Sequence, residues 1–274
     1  MRLDIIIPAH NEEHRIDRML SAFRSRLEDP GTRFFVALDH CTDGTAEVVG
    51  RHSRVDDRVE AICYPKLGKG GVIMETLRLC DAELVAFVDA DCATPPVELI
   101  RLAEAAQHAD VAIATRWHPA SVLPSPRPLS RRIESRVFAR VVQTVFGLPF
   151  ADTQCGAKVL RRRAAQAIVP LLSSRDFLFD VDLLLTARSL GFDVVEVPTV
   201  WVDQAGSRLH AGRDGRRMAL STFRLWLHSR VLPVPAGAAD LLPPARSQEP
   251  AAIDLPAMER EAREHLVSAT VERA

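Results

Sequence analysis

Leu84-Val85-Ala86-Phe87-Val88-Asp89-Ala90-Asp91 is an unbroken apolar run that stops abruptly on two carboxylates. A run apolar at every position, rather than at alternate ones, suits a strand buried on both faces of a parallel sheet. Working outward, Leu3 to Ile7, Phe34 to Leu38, Val59 to Cys63 and Val111 to Ala114 also read as strands. Between them, stretches near 12–27, 43–51, 71–80 and 96–107 carry apolar residues at helical spacing. In the last of these Pro95-Pro96 suits a helix start, and Val97, Ile100, Leu102 and Ala103 form the expected inner stripe. Strand–helix alternation builds an α/β fold, a doubly wound and mostly parallel sheet with helices on both faces. Such sheets take ligands beyond the carboxyl ends of their strands. Chemistry is therefore expected in the loops after Ile7, Leu38, Cys63 and Val88.

Downstream the pattern changes. A Pro-rich loop, Pro119 to Pro128, precedes a basic helix from Ser130 to Phe146. Then come Asp152-Thr153-Gln154-Cys155-Gly156, an apolar strand ending in Arg161-Arg162-Arg163, and a helix near 179–190 that Gly191 ends. Two short strands, Val194 to Val197 and Thr199 to Val202, follow. The stretch 216–232 is amphipathic and studded with arginine, and 233–274 is Pro/Ala-rich, expected as linker or disorder with a frayed helix near 256–273.

A net charge of −1 argues against a dedicated nucleic-acid binder, yet residues 116–230 carry 18 Lys/Arg against 9 Asp/Glu, so an anionic partner is expected there. The five cysteines (41, 63, 80, 92 and 155) form no C-x-x-C pair, which disfavours a disulfide framework or a zinc site. Nothing approaches a membrane span or a signal peptide, so a cytoplasmic protein is expected.

Asp89 and Asp91, two apart in extended chain, point the same way at roughly 6.5–7 Å. Such a pair can take a divalent cation while substrate phosphates fill the other positions, or it can be two solvated acids at a strand end. Asp39, ending the second strand, is placed to accept hydrogen bonds from a base or ribose; Asp43 suits a helix cap. Gly68-Lys69-Gly70-Gly71 offers close backbone approach and a cation at a helix start, or simply a turn. It is not a Walker loop, having Gly70 where Ser or Thr belongs. Asp152, in a loop within apolar sequence, is a general-base candidate or a turn cap. Arg116, Arg131, Arg132 and Arg208 are candidate phosphate ligands or solvated surface charges.

Taken in order, Ile5-Ile6-Ile7-Pro8-Ala9-His10-Asn11-Glu12-Glu13, the Asp39 loop, Gly68-Lys69-Gly70, Asp89-Ala90-Asp91, Asp152-Thr153-Gln154-Cys155-Gly156 and Glu196-Val197-Pro198 resemble family 2 glycosyltransferases of the GT-A fold. The subgroup they look most like is the polyprenyl- or dolichyl-phosphate glucosyl- and mannosyltransferases, with the similarity covering about residues 3–210. The resemblance implies a catalytic domain over 1–215, with a nucleotide-binding half to 115 and an acceptor half from 116. It implies that Pro8, Ala9, Asn11 and Glu12 line a nucleotide pocket with Asp39 and Lys69 on its base or ribose side. Asp89 and Asp91, with Ala90 between them, would hold Mg²⁺ or Mn²⁺ on the diphosphate of a nucleotide-sugar donor, closed over by Arg208. Arg116, Arg131 and Arg132 would receive the phosphate of a polyprenyl phosphate acceptor, and Asp152 would stand near the anomeric carbon. Two positions depart from the family pattern. Leu38 replaces the first of two acids, leaving the base (uracil or guanine) open, and Ala93 stands where some relatives carry a further metal-ligating Gln.

The implied activity is inverting hexose transfer, with the 216–232 stretch lying on the cytoplasmic face of a membrane or packing on the domain. A soluble hydroxyl acceptor, a non-catalytic nucleotide-sugar-binding protein and a nucleotidyltransferase are the alternatives. The last lacks the Gly-rich, Arg-containing first loop such enzymes use.

Overall fold

The computed structural model describes residues 2–124, 129–202 and 220–229. Seven strands form one sheet: β1 (Leu3–Ala9), β2 (Thr32–Asp39), β3 (Val59–Tyr64), β4 (Leu84–Phe87), β5 (Val111–Thr115), β6 (Lys158–Arg161) and β7 (Val194–Pro198). Their order is β3-β2-β1-β4-β6-β5-β7. All pairings are parallel except those of β6, which runs against both β4 and β5. That reversal has a consequence for the site. The carboxyl ends of β1 to β5 and β7 and the amino end of β6 all lie along one edge, so the loop leading into β6 joins the loops that leave the parallel strands.

Successive side chains of a strand face opposite ways, which divides the core in two. Ile6, Phe35, Val85 and Phe87 pack with α3 (Lys69–Leu77), α6 (Arg162–Ile168) and α7 (Phe179–Ser189). Ile5, Ile7, Phe34, Val36 and Ala86 pack with α1 (Ile16–Arg26), α2 (Thr45–Val55) and α4 (Pro96–Ala105) on the other face. Every residue of β4 is buried, as an apolar run between two helix layers requires.

Pro96 opens α4, but the helix turns a different stripe inward: Leu99, Leu102, Ala103 and Ala106 are buried while Val97 and Ile100 are only partly covered. The i, i+3, i+4, i+7 spacing from Leu99 is the more regular of the two, and it carries Glu98 inside with it. The basic triplet does not prolong a strand: β6 ends at Arg161 and α6 begins at Arg162. Arg161 donates from Nε to the carbonyls of Ala106 and Ala109, satisfying groups left over at the end of α4. Thr199–Val202 is not a strand; Val200 makes only an isolated bridge with Val122. Helix α7 ends before Gly191, whose φ of +77° meets the left-handed requirement of a helix C-terminus. The long basic helix is α5 (Leu129–Phe146), and residues 220–229 are helical within the expected 216–232 stretch. The expected frayed helix of the tail lies outside the described residues.

Candidate functional site

The carboxyl edge carries a set of left-handed residues that are not glycine: Asn11 after β1, His40 after β2 and Cys92 after β4, with φ of 56°, 51° and 58°. Such a conformation is sparsely populated and persists where surrounding contacts hold it. Asn11 is fixed by its neighbour loop: the Thr42 N–H donates to its Oδ1 (2.7 Å) and its Nδ2 donates to the Thr42 hydroxyl (3.1 Å). His10 Nδ1–H donates to the Asp39 carbonyl (2.6 Å), and the Glu12 N–H donates to Thr45 Oγ1 (2.7 Å). Pro8 and Ala9 close β1, and Asn11 and Glu12 lie on the loop beyond it, cross-tied to the one after β2, with Glu12 receiving Arg15 Nε at 2.6 Å.

Asp39 already has backbone partners at this edge of the sheet. It is almost fully buried, and its two oxygens accept the backbone N–H groups of Leu67 (2.7 Å) and Gly68 (3.1 Å). This clamps the turn into α3. Gly68 has φ +80°, and a Cβ there would meet the Arg175 carbonyl at 2.7 Å, so glycine is required twice over. Asp43 is not the N-cap of α2, which is Gly44; it stands one residue earlier and its Oδ1 accepts the N–H of Thr45, the first helical residue, at 3.0 Å.

The clamped turn aims Lys69 at the acidic pair. Its ammonium is 2.8 Å from Asp89 Oδ1. Burial works to lower the Lys69 pKa, but Asp89 and Asp180 more than offset it and the charge is held. Burial likewise works against ionisation of Asp89; Lys69 overrides it and keeps the carboxyl below its ordinary range. Among the described residues Asp91 has no such ion-pair partner. Burial first, and the Asp89 charge second, push its pKa up to about 6. Its Oδ1 accepts the Ala93 N–H at 2.9 Å, so Ala93 contributes backbone where some relatives offer a side chain. Ala90 between the two acids is buried.

Two crowded acids that have already drawn in one cation are a donor set that fits Mg²⁺ or Mn²⁺, both of which favour carboxylate oxygen. Among the described residues there is no group of three or more acidic, His or Cys side chains placed to hold a metal. Two protein carboxylates leave the remaining positions to substrate phosphates and water.

The loop before β6 closes on this pair. A Cβ at Gly156 would lie 1.9 Å from Asp89 Oδ2, so the glycine is what lets the loop reach the carboxylate. At the loop's other end Asp152 and Arg116, on the chain leaving β5, form a buried pair. Arg116 Nε and its backbone N–H donate to Asp152 Oδ2 (2.6 and 3.0 Å), and Nη2 donates to Oδ1 (2.8 Å). Burial works to raise the Asp152 pKa, but the Arg116 guanidinium overrides it and the carboxyl stays ionised. Two of the three guanidinium nitrogens of Arg116 are thus engaged by Asp152. Glu196 of β7 fixes the loop by accepting the N–H groups of Ala151 and Asp152.

Arg131 and Arg132 fall in the first turns of α5, where their side chains lie outside the described set, and Arg208 lies outside the described residues altogether. Two functional neighbours escaped sequence reasoning: Lys158 and Asp180, joined at 2.6 Å, with Asp180 also 3.7 Å from Lys69. The signal was there. Lys158 interrupts the apolar Ala157-Lys158-Val159-Leu160, and Asp180 interrupts Leu178-Phe179-Asp180-Val181. Charges inside otherwise buried runs are rarely left unpaired.

The acidic pair and the lysine thus gather at the carboxyl end of the central strand, the edge at which doubly wound sheets take ligands. The chain belongs to glycosyl transferase family 2, whose model matches residues 4–169, and it is by family a glycosyltransferase. It is 28% identical over 240 residues to glycosyltransferase AglD of Haloferax volcanii, covering 85% of this chain but only 38% of that protein's length. It is 29% identical to a dolichyl-phosphate beta-glucosyltransferase of Drosophila melanogaster (83% and 75% of the two chains). It is 28% identical to an undecaprenyl-phosphate mannosyltransferase of Micrococcus luteus (74% and 85%). Among solved structures, glucosyl-3-phosphoglycerate synthase from Mycobacterium tuberculosis, in complex with Mn²⁺, UDP and glucosyl-3-phosphoglycerate, gives a TM-score of 0.63 at 16% identity. That match covers 85% of this chain and 81% of the other, and the fold the two share is GT-A.

Proposed function

We propose that this chain transfers a hexose, with inversion, from a nucleotide-diphosphate sugar of the UDP-glucose or GDP-mannose type to a polyprenyl phosphate. The observation that carries the choice of acceptor is the state of Asp152. A hydroxyl acceptor needs a base at the anomeric centre, and the one carboxyl offered there by the resemblance is buried, ionised and bound by Arg116. A phosphate monoester has a second pKa of about 6 and is already an anion near neutral pH, so it needs none. The relatives named for dolichyl- and undecaprenyl-phosphate transfer support the same acceptor class.

Asp89 and Asp91 would hold Mg²⁺ or Mn²⁺, which when bound supplies positive charge to the leaving diphosphate. Pro8, Ala9, Asn11 and Glu12 line the nucleotide side, Asp39 fixes the Lys69 turn, and Lys69 places a second cation beside the diphosphate. The Asp152–Arg116 pair shapes the wall facing the sugar, its net charge cancelled so that the anionic acceptor is not repelled. Arg131, Arg132 and Arg208 supply the cations for the acceptor phosphate and the donor diphosphate. These roles belong to one catalytic domain over residues 1–215.

The acceptor's lipid chain implies a peripheral membrane contact, which the surface supports. Seven of nine strongly exposed large apolar side chains among the described residues lie on two helices: Ile133, Val137, Val141 and Val145 on α5, and Leu220, Phe223 and Leu227 on 220–229. Phe138 packs against Phe177, and the Ser221 hydroxyl donates to Asp176, so both helices flank the same 173–178 loop. Exposed Arg136, Arg140 and Arg224 accompany the stripes, as suits an anionic surface on the cytoplasmic side. No helix among the described residues is long and apolar enough to cross a membrane.

The test is a transfer assay with UDP- and GDP-sugars, with and without undecaprenyl or dolichyl phosphate. Label moving into the lipid phase only when the phosphate is present supports the reading. Transfer to water-soluble alcohols, with none to the lipid, overturns it.

A further inference from the structure

Four charges of alternating sign run inward from the acidic pair. Lys69 Nζ lies 2.8 Å from Asp89 Oδ1 and 3.7 Å from Asp180 Oδ2. The other oxygen of Asp180 accepts from Lys158 Nζ at 2.6 Å, and Lys158 donates onward to the Cys155 carbonyl at 2.7 Å. Lys158 is fully buried, its ammonium over the Phe87 ring, so Asp180 is pinned by a partner that cannot leave without stranding a charge. Lys69 differs: its side chain is partly exposed and carries its ammonium on a flexible four-carbon stem. Its distance to Asp180 exceeds hydrogen-bond length by less than 1 Å, a gap that side-chain rotation closes.

A divalent ion approaching Asp89 therefore meets an ammonium already seated on that carboxylate. We propose that Lys69 is a resident counter-ion of Asp89 that withdraws to Asp180 when a divalent ion enters, with Lys158 as the positioning residue that holds Asp180 ready. The inference rests on the reading of Asp89 and Asp91 as the metal-holding pair. Its consequence is order. In the empty site Lys69 competes with the metal; once a nucleotide diphosphate is present, the ammonium and the metal both face its phosphates and competition turns into cooperation. Metal is then retained with the donor and released without it.

The test is Mn²⁺ binding to the full chain, followed by the loss of the free-ion electron paramagnetic resonance signal, with no nucleotide and then with UDP or GDP. Lys69→Met is expected to tighten Mn²⁺ binding without nucleotide about tenfold, the lower end of the effect of a neighbouring charge on an ionisable site. It is expected to lose that advantage when the nucleotide is added. Asp180→Asn is expected to weaken Mn²⁺ binding severalfold, and to do nothing further in the Lys69→Met background, a coupling that a general loss of packing does not produce. Thermal melts check that the variants fold, and if Asp180→Asn does not, Lys69→Met decides alone. Unchanged or weaker Mn²⁺ binding by folded Lys69→Met overturns the inference while leaving the metal pair intact. A wild-type chain that takes no Mn²⁺ with either nucleotide overturns both.

Discussion

Adding one methyl group at Gly156 tests how finely Asp89 must be placed. The new Cβ would lie 1.9 Å from Asp89 Oδ2, whereas ordinary contact begins near 3.4 Å, so the carboxylate or the loop must yield by about 1.5 Å. The φ of Gly156 lies outside the left-handed region, so alanine suits the backbone and the conflict is confined to the Asp89 contact. Lys69 holds the other oxygen of Asp89 at 2.8 Å, which directs the strain onto the Asp89 side chain. A displacement near 1 Å in a reacting constellation costs about 100-fold, equivalent to roughly 2.7 kcal/mol of transition-state stabilisation. Gly156→Ala is therefore expected to keep a melting temperature close to wild type while kcat/KM for sugar transfer falls at least about 100-fold. The assay is initial-rate transfer at saturating Mn²⁺, with a melting curve on the same preparation. Near-wild-type turnover by the alanine variant refutes the reasoning, because Asp89 would then tolerate a shift no metal-holding carboxylate should.

Other perturbations probe separate parts. Arg116→Met strands the buried Asp152 charge and is expected to cost about 3–5 kcal/mol in denaturant unfolding, most of it recovered in Arg116→Met with Asp152→Leu; a stable single variant that merely lost acceptor binding would return Arg116 to the phosphate. Asp56 accepts from Arg24 and Arg58, which with its N–H partner hold its carboxyl well below the ordinary range. A depressed folded pKa stabilises above the unfolded value of about 3.9 and the benefit is lost as pH falls below it. Asp56→Asn should thus be about 1–2 kcal/mol less stable at pH 7, with the gap closing below about pH 3 in melts across pH. Burial pushes the Cys155 thiol up to about 11 and Cys80 to about 12, so alkylation near pH 8 followed by mass spectrometry should mark exposed Cys63 and spare both. Flotation with anionic liposomes should carry the wild-type chain and lose it in Val137→Asp with Phe223→Asp; equal flotation of the variant removes these helices from the membrane contact.

The sheet was legible because its inner strands carry apolar runs, Ile5–Ile7, Phe34–Leu38, Leu84–Phe87 and Val111–Ala114, and a doubly wound sheet then fixes where loops converge. Asp89 and Asp91 followed from the abrupt end of Leu84–Val88. Pairing was harder to read. Arg116 and Asp152 are 36 residues apart, and only the reversed direction of β6 brings the Asp152 loop to the edge where β5 delivers Arg116. Lys69 was found on its glycine turn but its contact with Asp89 was not, since the clamp by Asp39 that aims it is a long-range contact. Lys158 and Asp180 were visible as charges inside apolar runs, a pattern that betrays a buried pair without naming the partner.

The most direct measurement is a crystal of the chain soaked with Mn²⁺ and a UDP- or GDP-sugar, with anomalous scattering recorded at the manganese edge. An anomalous peak bound by Asp89 and Asp91 and bridged to the diphosphate is the expected result. A nucleotide bound elsewhere, or an anomalous map without a peak between those two carboxylates, contradicts it.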